Sequence, residues 1–208
     1  MFIPRFLVVS LGNPAPYQDT FHSIGHLALN ALQRETASTQ PRFRSNRVAG
    51  KSCQISMNQP YTLVQCPTLM NISGPFVARA WSETLERQHL ENSDLRLVLV
   101  HDDLEEPFGR IAQKTWDSSH RGHNGMKSVL AHLNHNLYPG AIWSRISIGI
   151  GRPATRDPSS VAEYVLSPMS KQQKSIINNR VGRELLELLF SMELQWETDY
   201  GAEASWRP

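Results

Sequence analysis

An asparagine at 13, a histidine at 22, an asparagine at 71 and the triplet His101-Asp102-Asp103 share one kind of placement along the chain. Asn13 follows the apolar run Phe6-Leu7-Val8-Val9. Asn71 follows the run from Tyr61 to Cys66 through Pro67-Thr68-Leu69-Met70, and the triplet follows LRLVLV, residues 95–100. If the three runs are neighbouring strands of one direction, two amides and a carboxylate converge with His22. An imidazole works as a base near neutral pH when it is oriented and kept basic, and a carboxylate partner does both. Asp102 is the partner expected for His22. Asparagine amides offer donors and acceptors without competing for the proton, so they suit a substrate carbonyl on which charge develops. Each residue also has a plainer use. Asn13 before Pro14 suits a turn, Asn71 and Asn124 suit helix starts, and His22 suits a loop. Their recurrence at strand ends favours the chemical reading.

No serine or cysteine is poised as a nucleophile, because G-x-S-x-G is absent and Cys53 and Cys66 fall inside predicted strands. Activated water is the expected attacker, in a hydrolase without a covalent intermediate. His120 with His123, and His132 with His135, are spaced three apart, but there is no thiolate set and no H-E-x-x-H. His132 and His135 are expected on the outer face of a helix. No metal and no cofactor are expected.

Elements able to position these groups can be read from periodicity. Strands are expected at 6–12, around Cys53–Met57, at Tyr61–Cys66, at 95–100, at Gly109–Lys114, around Ile146–Ile150 and at Val161–Leu166. Helices are expected from Ile24, from Ser73-Gly74-Pro75, from about Gly125, and after the capping pair Ser170/Gln173. PRFRSNRVAG, residues 41–50, reads as a loop. Strands and helices interleave, so the expected fold class is α/β: a mixed β-sheet in a single domain with helices on both faces, over residues 1–195, followed by a loosely held tail at 196–208.

The chain has 208 residues, 40% of them hydrophobic, enough for one good core. No apolar run approaches a membrane span. MFIPRF resembles neither a signal peptide nor a transit peptide, which favours the cytoplasm and leaves a mitochondrial setting open. The net charge of +2 decides little. Arg42, Arg44, Arg47 and Lys51 form a basic stretch equally compatible with nucleic acid and with a solvated loop.

Five pieces in order, LGNPAPYQDTFHSIG, PTLMNISG, VHDDLEEPFGRI, RGHNGMKSVLAHL and SRISIGIGRP, resemble the peptidyl-tRNA hydrolases of the bacterial type, which also occur in eukaryotes. They span most of residues 7 to about 190. The resemblance implies a monomeric α/β enzyme, without an obligate protein partner, that cleaves the ester joining a peptide to the ribose of its tRNA. It implies His22 as the base on water with Asp102 supporting it. Asn13 would favour substrates whose amino group is blocked, Asn71 and Asn124 would hold peptide backbone and water, and Tyr17 and Leu69 would line the pocket. Lys114 and Arg145, then Arg121 and Lys127, are candidates for tRNA phosphates. Ala15, Phe21, Ser23, Asp103 and Ser147 stand where the family usually has glycine, arginine, asparagine, glutamate and a second basic residue, and WDSSHR replaces a glycine-rich loop. The alternative is an RNA-binding protein on the same fold without catalysis. A nucleotide-binding protein, suggested by Gly149-Ile150-Gly151, lacks the full G-x-G-x-x-G.

Overall fold

Alternation within Phe6–Ser10 sends Phe6 and Val8 to one face and Leu7 and Val9 to the other, and this strand, β1, is buried along its whole length. A computed structural model of the chain describes residues 3–204, with side chains to residue 200. Beyond β1 the strands are β2 Arg44–Val48, β3 Lys51–Met57, β4 Tyr61–Gln65, β5 Arg96–Asp103, β6 Ile111–Thr115 and β7 Ile142–Gly149. They form one seven-stranded sheet in the order β2-β3-β4-β1-β5-β7-β6. Strands β4, β1, β5 and β7 run parallel, while β2, β3 and β6 join antiparallel at the two sides. The α/β fold with a mixed sheet is therefore as expected.

Helix α1, Ile24–Glu35, packs with Phe6, Val8, Val98 and Val100 on one face. Helices α2, Ser73–Gln88, and α3, Asn124–Leu130, pack with Leu7, Val9, Leu97 and Leu99 on the other. The chain thus leaves β1 toward one face and β4 toward the opposite face. Between such divergent exits a crevice opens beyond the carboxyl ends of the strands. Gly25 lets α1 close in on that edge, because a Cβ there would lie 2.6 Å from the Leu11 carbonyl oxygen and 2.7 Å from that of Val100.

Several elements differ from expectation. Val161–Leu166 is not a strand: helix α4 runs Pro158–Val165, started by the Asp157 side chain accepting from the N–H of Ser159 and Ser160, with proline in the first turn. Residues 41–50 are not all loop. They include β2, whose hairpin turn has positive φ at both Ala49 (51°) and Gly50 (75°). Only Val48 of β2 is buried, so its polar composition hid it. His101, Asp102 and Asp103 end β5 rather than follow it. Helix α3 stops at Leu130, so His132 and His135 lie past it, exposed as expected.

The Ser170/Gln173 capping box is present and opens α5, Lys171–Ile176. A π turn leads from it into α6, Gly182–Ala204. Trp196, expected to begin a loose tail, is 5% exposed inside α6 and meets the Phe6 ring edge-on at 5.4 Å. An aromatic side chain seated against β1 holds that helix to the core. Residues 205–208 of the expected tail lie outside the described residues. Among the described residues no helix is long and apolar enough to cross a membrane.

Candidate active site

The loop leaving β1 is held by its own polar groups. Asn13 is buried, its Oδ1 accepts the Met70 backbone N–H at 2.9 Å, and its own backbone N–H donates to Ser23 Oγ at 2.9 Å. An oxygen committed to an N–H donor fixes the amide, leaving Nδ2 as the donor at this position. Ser23 Oγ donates in turn to the Tyr17 carbonyl at 2.7 Å. The serine that replaces the family's usual asparagine is thus a fastener of the Asn13 loop. Phe21, also a departure, stacks on Tyr164 at 4.8 Å between ring centroids, and the Tyr164 hydroxyl donates to the Ile150 carbonyl at 2.6 Å. Those contacts tie the short helical turn Phe21–Ser23, which carries His22, to α4 and to the end of β7.

His22 donates from Nδ1 to Asp102 Oδ1 at 2.9 Å, and the same oxygen receives His123 Nε2–H at 2.9 Å. Register brings the expected pair together, since β1 and β5 are adjacent and parallel and His22 follows one while Asp102 ends the other. Burial works against charge on both members. For His22, burial acts to lower the pKa, yet the Asp102 charge and hydrogen bond outweigh it and the net shift is upward. For Asp102, burial acts to raise the pKa, and the two imidazoles overcome it and hold the carboxyl well below the usual carboxylate range. The result is a fixed carboxylate beneath a histidine whose Nε2 is left as the basic nitrogen.

Sequence reasoning weighed His123 only as a metal ligand and missed its place here. Its signal was position: it immediately precedes α3 and caps it, Nδ1 accepting the Met126 N–H at 3.2 Å. Accepting there places the ring proton on Nε2, aimed at Asp102. His22, Asp102 and His123 do offer ligand atoms within 4.8 Å of one another. Metal binding at His123 Nε2 would, however, require a proton on Nδ1, facing the Met126 N–H donor. The hydrogen bonds suit proton handling better than metal ligation. His120 instead spends Nδ1 on the Gly122 N–H at 3.1 Å, so the 120/123 spacing does not build a ligand pair.

A cleft of about 770 Å³ opens over this floor, lined by Asn13, Tyr17, His22, Leu69, Asn71, Asp102 and Asn124. Neither Asn71 nor Asn124 caps a helix: α2 starts after Ile72 without a side-chain cap, and α3 uses His123. Both amides are exposed and line the cleft. Among the cationic candidates, Lys114, Arg121 and Arg145 line the cleft, and Lys127, on the exposed side of α3, does not. Arg145 differs most from the expected surface cation. It is 1% exposed and donates to the carbonyls of Thr115 (3.1 Å) and Ser118 (2.6 Å), where it braces the loop that carries WDSSHR.

Replacing His123 by alanine is expected to destabilise the fold by about 2–4 kcal/mol, through the lost cap and the lost donor to the buried Asp102 carboxylate. It should also move the acid limb of the rate–pH profile upward, because Asp102 loses one donor and attracts the His22 proton more strongly. Thermal melting and a pH series of kcat/KM measure the two effects.

A family model described as "Peptidyl-tRNA hydrolase" matches residues 7–199. A peptidyl-tRNA hydrolase of Geotalea uraniireducens (strain Rf4) is 38% identical over 168 residues, covering 80% of this chain and 79% of the relative. A probable peptidyl-tRNA hydrolase of Mus musculus is 32% identical over 178 residues, covering 84% and 78%. Among solved structures, a peptidyl-tRNA hydrolase from Acinetobacter baumannii superposes with a TM-score of 0.67 at 22% identity, covering 92% of both chains, a likeness of fold.

Proposed function

The chain belongs to the peptidyl-tRNA hydrolase family, and from that premise we propose that it hydrolyses the ester between a peptide and the terminal ribose of tRNA, with His22 as the general base on water. The observation that carries the mechanism is the 2.9 Å bond from His22 Nδ1 to the buried Asp102 carboxylate at the floor of the cleft. In this reading His22 Nε2 takes a proton as water attacks the ester carbonyl. The C–O bond to the ribose then breaks, the imidazolium returns its proton to the departing hydroxyl, and peptide acid and free tRNA result. Asp102 stabilises the imidazolium in between. An ester with a sugar hydroxyl as leaving group needs no stronger nucleophile than activated water.

Asn13 Nδ2, with the amides of Asn71 and Asn124, supplies donors for the peptide carbonyls and for the developing oxyanion. Tyr17 and Leu69, 39% and 48% exposed, present apolar surface to the peptide side chains. One chain supplies every group this reaction uses, so a monomer suffices. Its setting is wherever translation leaves peptidyl-tRNA, the cytoplasm first and mitochondria as the other case.

The test compares N-acetyl-aminoacyl-tRNA with its unblocked counterpart. Release of the acyl group from the blocked substrate, with the unblocked one spared by at least about 10-fold in kcat/KM, is expected, since a buried polar site discriminates by leaving groups unpaired. Binding of tRNA without release of the acyl group from either substrate would favour the non-catalytic RNA-binding alternative.

A further inference from the structure

The last loop of the cleft wall carries an arginine pair that sequence reasoning passed over. Arg152 and Arg156, in the segment between β7 and α4, line the cleft together with Arg121, which precedes α3. All three act electrostatically on one carboxylate, Glu105, and hold it below the usual carboxylate range, its hydrogen bond from Arg152 leading. Resting on the hydrolase reading above, we propose that Arg121, Arg152 and Arg156 are the phosphate-reading groups of this chain. Glu105 occupies Arg152 in the free protein as an internal stand-in for an RNA phosphate.

Lys114 and Arg145, the two leading candidates for phosphate, are already engaged. Lys114 Nζ sits 3.2 Å from Glu106 Oε1 and 3.8 Å from Asp103 Oδ2. Arg145 is buried on loop carbonyls, and Ser147 donates to the Ala112 carbonyl at 3.4 Å where the family usually has a second basic residue. Arg121 and Arg156, by contrast, are exposed, and their guanidinium groups make no ion pair among the described residues. The phosphate nearest the scissile ester is the 5′-phosphate of the same terminal nucleotide, on the far side of one ribose, so an ester held over His22 brings it to the walls of this same cleft. Phosphate there meets two uncommitted guanidinium groups, which are suited to bidentate contact.

Arg152 differs in being held. Its Nε lies 3.1 Å from Glu105 Oε1 and its terminal nitrogen closer still to the same oxygen, a single-oxygen grip on a partly exposed carboxylate. Both partners sit on a stitched platform. Ile150 N–H donates to the Asp103 carbonyl at 2.9 Å, Gly151 N–H to that of Glu106 at 2.9 Å, and Glu105 N–H to Asp103 Oδ1 at 2.9 Å. Neither partner needs backbone movement to exchange its counter-ion. An exposed pair of this kind is worth little, so a phosphate with more than one free oxygen can displace the carboxylate.

The experiment uses three substrates of the full chain: N-acetyl-aminoacyl-tRNA, the same ester on the trinucleotide CCA, and the same ester on adenosine, which has no phosphate. The readout is kcat/KM for each phosphate-bearing substrate divided by that for the adenosine ester. In the double variant Arg121→Ala/Arg156→Ala this ratio is expected to fall at least about 10-fold, through KM, for two lost charge-assisted contacts. The salt slope should flatten by about 1 for each arginine. Arg121→Lys/Arg156→Lys should restore most of the ratio, with melting temperature confirming the fold of each. Glu105→Gln should raise the ratio about 3-fold by freeing Arg152. An unchanged ratio in the double alanine variant overturns the assignment, and a lower ratio in Glu105→Gln overturns the stand-in role. A parent protein inactive on all three substrates would instead remove the hydrolase reading on which the proposal rests.

Discussion

His22→Ala is expected to lower kcat on N-acetyl-aminoacyl-tRNA by about 10²- to 10⁴-fold, the range that a positioned general base contributes. KM should change little. The His22 side chain is only 12% exposed and sits at the cleft floor, while the residues proposed to grip peptide and phosphate lie on the walls. The variant should still fold, because Asp102 keeps its bond from His123 at 2.9 Å. Loss of one of two donors to a buried carboxylate costs about 1–3 kcal/mol, visible as a lower melting temperature. Single-turnover kinetics beside tRNA affinity separate these effects. Turnover equal to the parent's would remove His22 from the chemistry, and parallel loss of affinity and rate would make it a binding residue.

Most of what positions the site was legible because β1 and β5 are runs of apolar residues, and buried parallel strands must end at a common edge. The same logic brings Asn13, His22, Asn71 and Asp102 to one edge, where all four line the cleft. What escaped was set by contacts that carry no periodicity. His123 gains its role from a cap to Met126 and a bond to a residue on another strand, neither of which local spacing encodes. Arg145 alternates in β7 like a surface cation, yet its guanidinium is drawn inward by two loop carbonyls that only the folded WDSSHR segment presents. Strand β2 was hidden because an edge strand with one buried residue has almost no apolar pattern to show. Helix α4 was mistaken for a strand since Val161, Val165 and Leu166 fit either period, and the Asp157-Pro158 start carries the decisive signal.

Asp102→Asn should leave the imidazole in place and impair it in a way that pH exposes. In the parent, Asp102 raises the His22 pKa above its ordinary 6.5 against the opposing pull of burial. Activity, which needs the unprotonated ring, therefore falls as pH drops through that raised value. With a neutral amide at 102 the raising influence is gone and burial remains, so the His22 pKa moves down and the acid limb of kcat/KM moves to lower pH. The plateau nevertheless drops, by about 10²-fold, because a less basic ring takes the proton less readily and its imidazolium lacks a counter-charge. The asparagine must also satisfy two imidazole donors with one carbonyl while its NH₂ seeks an acceptor, which loosens the orientation of His22. The two shifts are a joint signature: a variant merely less well folded would lose amplitude without moving the limb. His123→Ala moves the limb the opposite way, so a pH series on the two variants tests whether the shared Oδ1 sets the basicity of His22. A limb that stays at the parent's position in Asp102→Asn would show that the carboxylate does not govern the base.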